Sequence, residues 1–196
     1  MARCPVFGVY GHSDSGKTTL IVKLVEQLTK GGYKVATVKQ TKKSISLDIN
    51  GKDTWRHHAA GAGLVVFSSA CETDFLLNKP LSMSEILKSI SEFGRYDFIL
   101  VEGARDPSIP KIRIGDGRKR KHTVAIYKNN FNEILQLIKK EIKLKQSSQR
   151  LAITVNGKNI WLTEFPEHIL TNTIVGMLSS LKGVKNISDI TIKYKK

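Results

Sequence analysis

An apolar run, CPVFGVY at residues 4–10, passes directly into GHSDSGKTTL and then into a segment whose apolar residues recur every three to four positions. That succession constrains the fold more than any other feature of the chain. Glycines at 11 and 16 let the backbone bend so that successive N–H groups point inward. Leu20, Ile21, Leu24, Val25 and Leu28 predict a helix over Lys17–Lys30, with Gly31-Gly32 ending it. Its first N–H groups are unpaired and its dipole favours an anion. Gly11-x-x-x-x-Gly16-Lys17-Thr18 thus fits the phosphate-binding P-loop pattern GxxxxGK(S/T) in the strand-turn-helix context that the pattern needs. Lys17 is expected to reach the outer phosphates, and the Thr18 hydroxyl to coordinate Mg²⁺. The expected nucleotide-binding set is Gly11, Ser13, Ser15, Gly16, Lys17, Thr18 and Thr19, with Lys17 also expected to act in catalysis.

The remainder alternates in the same way. Strands are predicted at 33–39, 63–69 (read as buried), 97–103, 111–114 (a weak one) and 123–127. Helices are predicted around TWRHHAAGA with Asp53 as N-cap, after a Ser82–Glu85 capping box, and from Phe131 to Ile142. Alternation of this kind implies a mainly parallel sheet covered by helices on both faces, a three-layer α/β fold of the P-loop NTPase type. KQSSQR at 145–150 reads as a linker between a nucleotide-binding domain (1–146) and a small C-terminal unit (151–196). That unit reads β-β-α-β: a hairpin turning on Asn156-Gly157, a helix in EHILTNTIVGMLSSL and a last strand in DITIKY.

A magnesium ion beside phosphates requires a carboxylate. Ligands of an open α/β sheet bind outside the carboxyl ends of its strands. Within DFILVEG, Glu102 lies at that end and Asp97 roughly 16 Å away at the start. Glu102 is the expected metal carboxylate, the alternative being a structural turn residue. Asp48 and Asp53 follow the second strand, and one of them is expected near the metal or its water; a turn residue and an N-cap are the plainer readings. Local motifs leave the base open. The guanine-reading pattern (N/T)KxD is not met, since Asn78-Lys79-Pro80-Leu81 lacks the aspartate.

The formal charge of +15 is concentrated: residues 111–150 hold twelve basic residues against Asp116, Glu133 and Glu141. Such a block suits nucleic acid or an acidic partner, or is a solvated face. Arg118–Lys121, RKRK, reads as an exposed loop, with a cleft for an acidic ligand as the other reading. No apolar run approaches the roughly 18 residues of a membrane span, and the first strand-like segment begins with no signal peptide ahead of it. Cys4 and Cys71 stand in no metal-ligand spacing, so free thiols in a reducing cytoplasm are expected. Trp55 and Trp161 read as packing residues before ligand platforms.

The blocks GHSDSGKTT, YKVATVKQT, LDINGKDTWRHHAAGA and FILVEGARDPSIPKI, in that order over about residues 5–127, resemble the molybdopterin-guanine dinucleotide biosynthesis protein B (MobB) family. The resemblance implies a GTP-binding protein with weak, Mg²⁺-dependent GTPase activity. Such a protein acts beside the enzyme that joins a guanine nucleotide to molybdopterin, and typically forms a homodimer. It also implies that Glu102-Gly103 closes the metal-side strand and that Asp48 is the metal-directed, catalytic aspartate. This chain departs from the family in two places. Val38-Lys39-Gln40-Thr41-Lys42-Lys43 stands where a histidine-rich stretch is usual, and Asp14 puts a carboxylate in the loop.

Two other functions fit the same scaffold. A small-molecule kinase or ATP-dependent ligase would use Arg105 or Arg56 as a clamp on the transferred phosphoryl group. A nucleic-acid-binding NTPase would use the 111–150 block, but that block has little aromatic interleaving.

Overall fold

The computed structural model describes residues 4–147 together with 151, 153–156, 158–160, 162, 164–184, 187 and 190–192. Within residues 4–147 the elements are β1 (Val6–Tyr10), α1 (Lys17–Lys30), β2 (Val35–Lys39), α2 (Asp53–Ala59), β3 (Leu64–Ser68), β4 (Thr73–Leu77) and α3 (Met83–Phe93). They continue with β5 (Phe98–Glu102), β6 (Lys111–Ile114), β7 (Thr123–Tyr127) and α4 (Phe131–Ser147). The strands β2-β5-β1-β6-β7, in that spatial order, make one five-stranded sheet whose pairings are all parallel.

Successive residues of a strand face opposite ways, so each strand serves two layers. Phe7, Val9, Phe98, Leu100 and Ile112 pack on one side beneath Leu24 and Leu28 of α1 and Ile138 and Ile142 of α4. Ile99 and Val101 pack on the other with Met83, Leu87 and Ile90 of α3. The three-layer α/β fold expected from the alternation is therefore the fold observed. Parallel strands buried on both faces read as continuous apolar runs, as FILV in β5 does.

Several local expectations need correction. β3 is not a buried strand of this sheet. It pairs antiparallel with β4, which the sequence reading missed, and only Val65 of β3 is buried. Asp53 is the first helical residue of α2; the N-cap position is Lys52, and no side chain caps it. Trp55, expected to pack α2 onto the sheet, is 38% exposed, and α2 buries no residue. KIRI, read as weak, is β6, paired between β1 and β7 with three of its four residues buried. The supposed linker begins inside α4, which runs to Ser147. The capping box is present as expected: Ser82 Oγ accepts from the Glu85 N–H, and the Ser82 N–H donates to Glu85 Oε2 at 2.8 Å.

The chain divides into two compact units, Met1–Lys145 and Gln146–Lys196. In the second, β8 (Ile153–Val155) and β9 (Lys158–Ile160) form an antiparallel hairpin, with Asn156 at φ 51° in the turn. α5 (Glu164–Ser179) follows and leaves Phe165, Ile169 and Met177 exposed. Trp161 and half of the expected last strand lie outside the described residues; Ile190–Ile192 are not in a strand.

Candidate functional site

The carboxyl ends of the central strands converge. Lys39 of β2 and Val9 of β1 both stand in register with Glu102 of β5, and Tyr10 with Arg113 of β6. The loop from Gly11 to Gly16 rises from this edge. Gly16, at φ 84°, occupies the N-cap position of α1 in the left-handed conformation that glycine adopts without strain, and no side chain caps the helix. The first amides of α1 thus have no side-chain cap at this edge. Ser15 Oγ is buried without a hydrogen-bond partner, and Lys17 Nζ donates to the His12 carbonyl.

Two of the expected metal ligands come together. Thr18 Oγ1 donates to Glu102, 3.2 Å from each carboxylate oxygen. Lys39 Nζ lies 3.5 Å from Glu102 Oε1, and the Glu102 side chain is 14% exposed. Gly103, at φ 77°, turns the chain immediately afterwards, and a Cβ there would come within 2.4 Å of the Gln40 carbonyl oxygen. That tight passage clips the ends of β2 and β5: Gln40 N donates to Glu102 O at 2.9 Å, and Arg105 N to Gln40 Oε1 at 3.3 Å.

Asp48 is placed differently. Its side chain is 6% exposed; Oδ1 accepts from Thr54 at 2.7 Å, and Oδ2 lies 3.8 Å from His58 Nδ1. His58 Nε2 is in turn 3.2 Å from the Leu76 carbonyl. A ring nitrogen beside a carbonyl oxygen must be the donor, so Nε2 carries a proton. Asp48 accordingly ties the segment after β2 to α2, while its Oδ2 is buried with no hydrogen-bond partner. Asp53 is exposed and faces Arg56 at 3.9 Å.

Beside the Gly11–Gly16 loop lies a cavity of about 600 Å³. The sequence reading had weighed RKRK for such a cleft but had not joined it to Lys42, Arg105 and Arg113, which line it too. Lys111, counted above with the basic block, is 1% exposed. Its ammonium donates to the carbonyls of Asp106, Ile109 (2.6 Å) and Lys121 (3.4 Å). Burial pushes its pKa below the ordinary lysine value, partly offset by the nearby Asp106 carboxylate. Nothing in the local sequence distinguishes this lysine from its solvated neighbours.

A parallel sheet of this strand order, with a glycine-rich loop leading from its central strand into a helix, defines a P-loop NTPase-like α/β protein. Residues 6–140 match the family model described as molybdopterin guanine dinucleotide synthesis protein B (MobB), and the chain belongs to that family. It is 28% identical to a putative molybdopterin-guanine dinucleotide biosynthesis adapter protein of Methanocaldococcus jannaschii, over 96% of each chain. That alignment takes in most of residues 151–196, which lie beyond the family model. The chain is also 34% identical to the adapter protein of Haemophilus influenzae, over 55% of this chain and 61% of that one. The crystal structure of Bacillus subtilis MobB superposes with a TM-score of 0.56 at 20% identity, covering 70% of this chain and 97% of the other, a likeness of fold. No helix among the described residues is long and apolar enough to cross a membrane.

Proposed function

We propose that this protein is a GTP-binding adapter of molybdopterin-guanine dinucleotide biosynthesis, with a weak Mg²⁺-dependent GTPase activity. The observation that carries the reading is the meeting of Thr18 and Glu102 beside Lys17, in a chain of the MobB family. In this reading the amides of Gly11, Ser13, Ser15, Gly16, Thr18 and Thr19 hold the phosphates. The orphaned Ser15 hydroxyl gains an oxygen partner, and the Lys17 ammonium leaves the His12 carbonyl for the outer phosphates. A hydroxyl and a carboxylate are hard oxygen donors of the kind Mg²⁺ takes, alongside phosphate and water. When bound, the ion neutralises charge on the phosphates. Asp48, the catalytic aspartate of the family resemblance, has Oδ1 committed to Thr54 and only Oδ2 left to offer such an ion or its water. With that bond in place it acts as a positioning residue for the segment after β2.

Adapter work needs partners, here the enzyme that joins the guanine nucleotide to molybdopterin and a second copy of this chain. The β3–β4 hairpin supports the dimer. Leu64 opposite Leu77 and Val66 opposite Phe75 form an apolar ladder that stays exposed, and a two-stranded sheet is too small to stand alone. A twofold axis covers such a self-complementary patch with its own copy.

Titrating the protein with fluorescent GTP and ATP analogues, in Mg²⁺ and then in EDTA, while following phosphate release, tests the reading. GTP preference with turnover of minutes or slower is the expected result, and Lys17→Ala should abolish binding without changing the melting curve. ATP preference, or fast turnover switched on by a small molecule, would replace the adapter with a kinase or ligase. Unchanged affinity in Lys17→Ala would remove the nucleotide site from this loop.

A further inference from the structure

The structure assigns the cavity beside the loop a role of its own: it is a second anion subsite, for a small organic molecule bearing a phosphomonoester, filled while the nucleotide occupies the loop. Lys42, Arg105, Arg113 and the Arg118–Lys121 run line it, and among the described residues that do so there is no carboxylate. These cations come from segments after β2 and β5, from β6 and from the loop after β6, distant in sequence and gathered at one sheet edge. A solvated charge run would leave its side chains unordered. Here the walls are fastened. Arg120 donates from Nη1 to the Ala104 carbonyl at 2.7 Å and lies 4.7 Å over the Tyr10 ring, while its N–H donates to the Tyr10 hydroxyl at 2.8 Å. Buried Lys111 ties the 106–109 turn to Lys121 from below.

Among these lining cations Arg113 alone is not exposed. Its Nη1 donates to the Gly117 carbonyl at 2.6 Å, but its Nε is buried with no hydrogen-bond partner. Being buried, Nε is out of an oxyanion's reach, but the guanidinium has further N–H groups to offer one in the cavity it lines. Tyr10, Pro107 and Ile114 add apolar wall for an organic body, and about 600 Å³ is the volume of a small-molecule site, not of a duplex groove. The subsite also touches the loop. Gly11 and His12 belong to both, and His12 Nε2 lies where a Cβ on Gly117 would come within 2.9 Å of it. Two anions side by side suit a protein that presents a nucleotide next to a phosphorylated acceptor, and to that extent the inference rests on the proposed function.

The test uses the full chain saturated with a fluorescent, non-hydrolysable GTP analogue and Mg²⁺, titrated with 4-methylumbelliferyl phosphate, with 4-methylumbelliferone as the phosphate-free control. The phosphate should bind at one site per chain, with nucleotide retained, and weaken with added salt; the control should bind far more weakly. Arg118→Ala/Lys119→Ala/Lys121→Ala, all exposed positions, should lose roughly tenfold or more in phosphate affinity and leave nucleotide affinity unchanged. No binding to the loaded protein, equal binding of the control, or an unaffected triple variant would overturn the assignment. If the wild type binds no nucleotide, the proposed function fails, and the same titration on Lys17→Ala decides the subsite alone. Binding that the triple substitution removes upholds it; absence of binding overturns it.

Discussion

β5 carries Phe98, Ile99, Leu100 and Val101 at 0–1% exposure, whereas in the β3–β4 hairpin Leu64, Val66, Phe75 and Leu77 are each 44–50% exposed. β3, LVVFS, is as apolar in sequence as β5, FILVE. The difference lies in what covers them: α1 and α4 lie on one face of the five-stranded sheet and α3 on the other, while the hairpin has the short helix α2 beside it, with His58 at the Leu76 carbonyl, and Phe93 against Phe75. Burial is a property of the neighbours a strand acquires, and the hairpin's Leu64–Leu77 and Val66–Phe75 pairs stay exposed.

The largest effect expected from breaking this contrast is in the sheet. Phe98→Ala removes a fully buried ring packed 5.6 Å from that of Phe7. It should cost about 3–5 kcal/mol of unfolding free energy, read as a fall in the urea midpoint. In the hairpin, Phe75→Glu should change monomer stability by no more than about 0.5 kcal/mol, the range for surface substitutions, yet shift sedimentation from dimer to monomer. A monomeric wild type, or a dimer that survives Phe75→Glu, would take the hairpin out of the interface.

The same contrast shows what the chain's own sequence made legible. Features written in neighbouring residues were readable: the Gly11–Thr18 loop, the Ser82–Glu85 box, the Gly31-Gly32 stop and the apolar runs of the parallel strands. Features that depend on distant residues were not. Placing β3 required its partner β4, a five-residue strand that opens on the polar pair Thr73-Asp74. Asp48 finds Thr54 and His58 only once α2 has turned back on the segment before it. The basic cavity needs four segments brought to one edge, and Lys111 is told from other lysines only by what encloses it. The place of Glu102 at the carboxyl end of the sheet was readable because strand direction alone sets it.

The smallest effect separates the two cysteines, one at each end of the comparison. Cys4 packs against the cluster beneath α3, and Cys71 is exposed in the hairpin turn. Burial pushes the Cys4 thiol up from 9.0 to about 11, with a backbone hydrogen bond opposing and the Asp97 charge adding. A thiol titrating near 11 holds roughly a hundredfold less thiolate at pH 8 than the same thiol would at 9.0, so a thiol reagent should label half-buried Cys4 slowly and exposed Cys71 first. Because the folded state raises the pKa of Cys4, it holds that proton where the unfolded chain has released it. The resulting stabilisation is complete below pH 9 and is lost as the pH climbs through 9 to 11. Cys4→Ala should therefore flatten the decline of stability across that window, relative to wild type, in urea melts at stepped pH. Equal labelling rates and parallel pH profiles would show that the edge of the sheet beside β1 opens as freely as the hairpin turn does.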